Sequence, residues 1–450
     1  MRILLVSPNT LTVPYPVYPL GLDYVAASVS HAHEVQIADL NTLSLLELEK
    51  ILTSFCPDII GLSCRNIDNI DASDSRFFIQ DYAAVVSLMR SHSKATIVIG
   101  GSAFTIMPRE ILSILGADYG IIGEGERFGL LVEAIKEERD PLQIPGVISA
   151  SSEIETIIPA PWDGPIVRDF HRNATHNSFY LTQGGMLNLQ SKRGCCFNCI
   201  YCSYPHIEGG KHRLVAPDEV ARTALELQDA GAKYFFITDS AFNSDIKHSL
   251  AVAKAFKAAG VSIPWGSFFA PMKLPESYFS TLASAGLAHV EFGTESMAES
   301  VLKTYRKPFG VSDVFTAHRQ AIDAGLHVAH YFLFGSPGES AATVTESLDN
   351  IDRLNKTFCF FYIGIRILPQ TAMYDIALRE GKITTSTNLL KPIFYEADDI
   401  DRHTIEELVR ARVGKRINCL VGSSGPDEIR AVNKMYSRGH TGPLWEHLIR

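Results

Sequence analysis

The amino-acid sequence predicts an α/β protein with two successive parallel-sheet domains. The first is a doubly wound, Rossmann-like sheet over residues 1–145, and the second is a partial, TIM-like (β/α)6 barrel over 185–385. Three observations predict this. Short apolar runs alternate with helical stretches from the first residues onward; the alternation lapses over 146–184 and resumes at Met186; it stops again beyond Leu389. The lapse reads as an irregular linker rich in Pro, Asp, Asn and His, and 386–450 as a small helical cap over the barrel mouth. A length of 450 residues with 46% hydrophobic content is ample for two cores.

In the first domain the strand candidates are RILLVSP (2–8), HEVQIADL (33–40), DIIGLSC (58–64), ATIVIGG (95–101) and YGIIGEGE (119–126). Helical patterns at 21–30, 44–53, 79–90, 108–115 and 128–136 separate them, as a parallel sheet covered on both faces requires. Such sheets bind ligands at the carboxyl ends of their strands. Those ends carry Ser63–Cys64–Arg65, Gly100–Gly101 and Gly123–Glu124–Gly125–Glu126, and the glycines let a large flat ligand approach the main chain. No G-x-G-x-x-G follows the first strand, so a nicotinamide-dinucleotide site is a poor reading. In the second domain the strands are expected at 186–194, 234–239, 265–270, 289–296, 327–335 and 360–368. Helices such as 217–230, with Val220, Leu225 and Leu227 in an apolar stripe, lie between them.

Charge and cysteine usage narrow the function. A net charge of −9 without a long basic stretch argues against a general nucleic-acid or anionic-membrane binder. No apolar run approaches the ~20 residues that span a bilayer. MRILLVSPNT reads as a first strand, not a signal peptide. Four of the eight cysteines crowd into 195–202 and the rest are scattered, a pattern of a reducing compartment; a cytoplasmic location is expected.

The crowded stretch is SKRGCCFNCIYCSYP (191–205), placed just after the first barrel strand. Cys195, Cys199 and Cys202 stand at C-x3-C-x2-C spacing, where three thiolates can hold three irons of a cubane cluster and leave the fourth iron open. Zinc with a distant fourth ligand is the alternative, and Cys196 is off the spacing, a filler. The loop resembles the cluster signature of the radical S-adenosylmethionine (SAM) superfamily. That resemblance implies a 4Fe-4S cluster on Cys195, Cys199 and Cys202, with SAM on the open iron and Tyr201 against its adenine.

The resemblance extends along the chain. Thr238 and Asp239 stand where the family binds the SAM amino group, although the usual glycines are missing. Glu295 and Ser296 in GTES match the ribose-binding position; Ser336 lies in FGSPGES, similar to the family G-x-P-G-E turn; Arg306 could reach the SAM carboxylate. Plainer readings stay open: Asp239 as a helix cap, and Glu295 as a surface partner of Lys303 or Arg306. Arg366 in an apolar strand needs an anionic partner, in SAM, cobalamin or substrate. The first domain resembles the cobalamin-binding domain of one large radical SAM subclass, through PVYPLGLDYVAASV, IGLSC, VIGGSAFTIMP and IIGEGE. The cobalamin contacts so implied are Leu20, Gly21, Ser63, Arg65, Gly100, Gly101, Thr105, Gly123, Glu124, Gly125 and Glu126. No D-x-H-x-x-G is present, so the cobalamin is expected base-off without a histidine ligand; a degenerate domain without cofactor is the alternative.

What the subclass implies is a methyltransferase in which a 5′-deoxyadenosyl radical activates an unactivated carbon and methylcobalamin delivers the methyl group. A small-molecule or lipid-like substrate and a reductant protein such as flavodoxin or ferredoxin belong to that expectation. Cyclisation, rearrangement or oxidation with the same cofactors, and a non-catalytic cobalamin or iron–sulfur sensor, are the alternatives.

Overall fold

The computed structural model describes residues 1–12, 15–152, 160–170, 176–422 and 426–449, the side chains of 426–428 aside. The expected linker falls partly outside the described residues. The first sheet comprises β1 (Arg2–Ser7), β2 (Glu34–Asp39), β3 (Ile59–Ser63), β4 (Thr96–Gly100), β5 (Tyr119–Ile121) and β6 (Val147–Ile148), in the order β2-β1-β3-β4-β5-β6. All neighbours are parallel except β5 and β6. Because β6 belongs to this sheet, the domain runs past the expected boundary at 145.

Alternation along the strands divides the core. Ile3, Leu5, Ile37, Ile59 and Val98 face Leu22, Ala26, Phe128 and Leu131 of helices Leu20–Ser28 and Arg127–Lys136. Leu4, Val6, Ile60, Leu62, Ile97 and Ile99 face Leu48, Val86 and Ile111 of helices Leu45–Phe55, Ile79–His92 and Pro108–Leu115. Local chemistry starts two of these helices: Ser44 and Glu47 form a capping box, and Pro108 occupies the first turn.

The second sheet is parallel throughout. From one edge it runs Met186–Leu189, Tyr234–Ile237, Trp265–Phe269, Leu287–Glu295, His327–Phe334, Thr357–Ile363 and Cys419–Val421. The first six strands match expectation. The seventh comes from the region expected to be purely helical, and pairs Cys359 with Cys419 along the edge. Residues 389–402 meet Arg366 and the Ala72 carbonyl of the first domain, whereas the last residues of the tail lie at the opposite end from the one expected. Trp445 packs with Ala329 and Phe358, and Glu446 meets Tyr234, His289 and His327, all near the amino-terminal ends of their strands. The carboxyl-terminal segment therefore closes the bottom of the barrel. A short apolar tail with a tryptophan carries no strand or helix period that would reveal its docking site.

One core cluster continues from the first sheet into the barrel, joining Leu4 and Phe104 to Ile200, Phe332 and Ile365. Buried ion pairs cross the same junction. Arg366 Nε lies 2.9 Å from Asp68 Oδ2 and also donates to the Ile367 and Leu389 carbonyls. Arg366 thus finds its anion in the first domain, not in a cofactor. In the linker, Arg168 donates to Asp23 at 2.8 Å and to the Asn188 carbonyl at 2.8 Å, one contact in each domain.

Candidate active site between the two domains

The cysteine loop leaves the carboxyl end of the first barrel strand through Lys192–Arg193, a two-residue strand paired antiparallel with Arg213–Leu214. Gly194 follows with φ +88°, and a Cβ there would stand 2.1 Å from the Lys211 carbonyl oxygen, so the turn into Cys195 requires glycine. Cys195 is buried, Cys199 and Cys202 half-buried, and all three are free. The Cys202 amide donates to the Cys199 carbonyl at 3.2 Å, and that of Cys195 to the Gly209 carbonyl at 3.1 Å. Cys196 is exposed.

Burial pushes the Cys202 thiol up to about 12 and raises Cys199 as well. Thiols in such a place ionise when a metal compensates them, and three on one loop suit three irons. Beside them, Lys307 Nζ stands 3.2 Å from Glu295 Oε1 and 5.4 Å from the centre of the Tyr201 ring, which meets Tyr305 edge-on. Burial alone would lower the Lys307 pKa, but Glu295 and Cys199 raise it overall. The loop thus brings its thiols close to a carboxylate, an ammonium and an aromatic face.

The other expected SAM contacts divide. Asp239 is 1% exposed and accepts from Ser191 N at 2.8 Å, Ser191 Oγ at 2.5 Å and Lys192 Nζ at 2.9 Å. Its oxygens are occupied by the base of the cysteine loop, so it shapes that loop instead of facing a ligand; nor does it cap a helix. Thr238 stays with the Leu189 carbonyl at 3.2 Å. Ser296 Oγ is buried against Ser347 Oγ at 3.0 Å and the Ala298 amide. Ser336 is buried in its turn, where its amide donates to Glu339 at 2.8 Å. Arg306 adopts φ +58° and is exposed, which turns it away and brings its neighbour Lys307 to Glu295. Lys307 was missed because sequence adjacency cannot tell which of two neighbouring cations turns inward.

Several of the residues expected at cobalamin lie along the carboxyl edge of the first sheet. Ser63, Gly100, Gly101 and Gly123 end β3, β4 and β5, and Thr105 Oγ1 accepts the Gly123 amide at 2.9 Å. A Cβ at Gly101, whose φ is +102°, would lie 2.7 Å from the Cys64 carbonyl oxygen, while one at Gly21, beside half-buried Leu20, would meet open space. Arg65 is exposed and close enough to Tyr15, Tyr82, Tyr180 and Tyr204 to act on them electrostatically. These small, flat strand ends fit a large planar ligand. Glu124, Gly125 and Glu126, just beyond Gly123, turn away from it. Glu124 and Glu126 pair with Arg193 at 2.8 and 2.7 Å, and a Cβ at Gly125 would strike Val25 at 2.6 Å. Helix Ser102–Ile106 after β4 packs on helix Tyr204–Ile207 just beyond Cys202, so the ligand edge of one domain adjoins the cysteine loop of the other.

Comparison with known proteins agrees with this division. The B12 binding domain family matches residues 6–130, and the Radical SAM superfamily matches 189–351. Tryptophan 2-C-methyltransferase of Streptomyces laurentii is 24% identical, over 81% of this chain and 72% of that protein. Cytidylyl-2-hydroxyethylphosphonate methyltransferase of Streptomyces wedmorensis is 22% identical, over 87% and 84%. The solved structure of the radical SAM methyltransferase TsrM from Kitasatospora setae, with cobalamin and a [4Fe-4S] cluster bound, superposes with a TM-score of 0.86 at 21% identity, covering 99% of this chain and 97% of that one. The cysteine loop and the glycine-edged sheet facing it coincide with the two matching families, so the chain carries a B12 binding domain followed by a radical SAM domain.

Proposed function

We propose that this chain is a cobalamin-dependent radical SAM methyltransferase that places a methyl group on a carbon of a small-molecule substrate. The observation that carries the reading is the junction itself: the first domain's ligand edge and the cysteine loop adjoin through the Ser102–Ile106 and Tyr204–Ile207 contact. When bound, the cluster supplies the electron that cleaves SAM to a 5′-deoxyadenosyl radical, and the cobalamin supplies the methyl carrier. Relatives named as C- and phosphonate methyltransferases support methyl transfer over ring closure or rearrangement.

In this reading Cys195, Cys199 and Cys202 hold the cluster. Glu295 offers a carboxylate to the SAM hydroxyl or amino hydrogens, with Lys307 fixing its orientation. Tyr201 gives the adenine an aromatic face. Within the barrel, Phe268, Tyr331, Phe360 and Tyr362 are half-buried, and the Tyr331 ring stacks on Phe360 at 4.5 Å and on Tyr362 at 6.4 Å. This wall suits a compact apolar or ring-bearing substrate and keeps water from a radical. The exposed side of the loop, at Cys196 and Asn198, is where a flavodoxin or ferredoxin would deliver electrons. Free cysteines throughout favour a reducing, cytoplasmic setting.

The test uses anaerobically reconstituted protein with cobalamin, methyl-deuterated SAM and a strong reductant, offered candidate small-molecule acceptors. S-adenosylhomocysteine together with a deuteriomethylated product is the expected result. 5′-Deoxyadenosine without any S-adenosylhomocysteine would point to rearrangement or cyclisation, and neither product would favour a sensor.

A further inference from the structure

Two consecutive buried cations precede the cysteines, and different domains hold them. Lys192, 1% exposed, points into the barrel, where its Nζ lies 2.9 Å from Asp239 Oδ2, 2.8 Å from the Ala241 carbonyl and 3.2 Å from that of Phe242. Arg193 points into the first domain. Its two terminal nitrogens reach different carboxylates, Glu124 at 2.8 Å and Glu126 at 2.7 Å, and its guanidinium lies 4.6 Å from the centre of the Tyr24 ring. Arg213, opposite Arg193 in the ribbon, closes the network with 2.7 Å contacts to both Glu124 oxygens. The opposed directions follow from the extended backbone, which sends neighbouring side chains to opposite faces.

Nothing in cluster ligation requires this network. A buried ion network is also a weak source of stability, because desolvation offsets most of its attraction; what it adds is direction. A guanidinium that forks between two carboxylates fixes its own position in a way an ammonium cannot. Gly194, held at φ +88° with no room for a side chain, passes that position straight to Cys195.

We infer that Lys192 and Arg193 form a two-domain clamp that sets the separation between the cysteine loop and the ligand edge of the first domain. Arg193 is its positioning residue. The inference rests on the reading that both cofactors bind.

The experiment compares wild type, R193K, R193Q and E126Q after reconstitution, with iron and cobalamin contents measured first. The decisive readout is the cob(II)alamin paramagnetic resonance signal with the cluster reduced, because spin–spin splitting and relaxation depend steeply on the distance between the metals. All proteins are expected to hold both cofactors. In R193Q and R193K the interaction is expected to weaken or broaden, with E126Q intermediate. Methylated product per 5′-deoxyadenosine is expected to fall about tenfold or more, as a displacement near 1 Å would cause. An unchanged spin interaction and product ratio in R193K and R193Q would overturn the clamp while leaving the methyltransferase reading intact. A wild type that takes up the cluster but no cobalamin would overturn both. If R193Q fails to fold, E126Q decides alone: an unaltered spectrum there counts against the clamp.

Discussion

At the scale of single residues, the site depends on side chains whose burial is tolerable only with the right partner. Cys199→Ala removes one of three thiols but keeps the backbone carbonyl that accepts from the Cys202 amide. It is expected to abolish the cluster absorbance and 5′-deoxyadenosine formation while cobalamin still binds; SAM cleavage that survives would sink the cluster assignment. Histidines show the converse, burial without a countercharge. His318 Nδ1 lies 3.0 Å from His330 Nε2, and burial lowers the His318 pKa from 6.5 to about 4. Between those values the unfolded chain binds a proton that the folded chain refuses, so this residue's contribution makes stability fall as pH drops from 6.5 toward 4. Its share at pH 5 is on the order of 2 kcal/mol. Urea midpoints at pH 7.5 and pH 5 should therefore separate less in His318→Gln than in wild type, and equal separations would refute the assignment. The cysteine triad was legible from sequence because its spacing is local. The work of Asp239 was not, because its partners Ser191 and Lys192 lie 48 and 47 residues away and only the fold brings them together.

At the scale of elements, periodicity reported most of what was there. Strands β1 to β5 and the first six barrel strands are mostly apolar runs, as burial on both faces favours. The strand Cys419–Val421 escaped because three residues have no period, and only an open barrel edge makes them a strand. Arg366 was legible as a cation needing an anion, but its partner, 298 positions earlier, was not. That pair yields a prediction. Arg366→Met leaves the Asp68 carboxylate, 2% exposed, without its cation, which costs about 3–5 kcal/mol. Arg366→Met combined with Asp68→Leu removes both charges and should recover most of that loss. Denaturation of wild type and these two variants in the absence of cofactors measures it; a double variant no better than Arg366→Met would mean that the carbonyl contacts of Arg366 dominate.

At the scale of the whole molecule, the chain closes its barrel from both ends: the first domain covers the mouth that carries the cysteine loop, and the last residues seal the base. The seal is chemically specific. Trp445 is 8% exposed, stands edge-on to His289 at 5.3 Å, and donates from Nε1 to Glu291 Oε1 at 3.1 Å. Glu446 contacts Tyr234 at 3.0 Å, His289 at 3.2 Å and His327 at 3.5 Å, so one carboxylate ties three strands. Burial would raise its pKa, yet the bonds from His289 and His327 outweigh that and hold it near 2. Glu291, whose pKa burial raises, also accepts from Tyr331 of the aromatic wall at 2.9 Å, so the seal and the wall share a residue. Two substitutions separate packing from hydrogen bonding here. Trp445→Ala empties the base and should cost about 3–5 kcal/mol. Trp445→Phe keeps most of the ring but leaves Glu291 short of a donor, for about 1–3 kcal/mol. Both should lower the urea midpoint of the cofactor-free protein in that order, with faster amide exchange in strands Leu287–Glu295 and His327–Phe334. Wild-type exchange in Trp445→Ala would mean that the barrel closes without its tail, and that the aromatic wall is supported from the first domain alone.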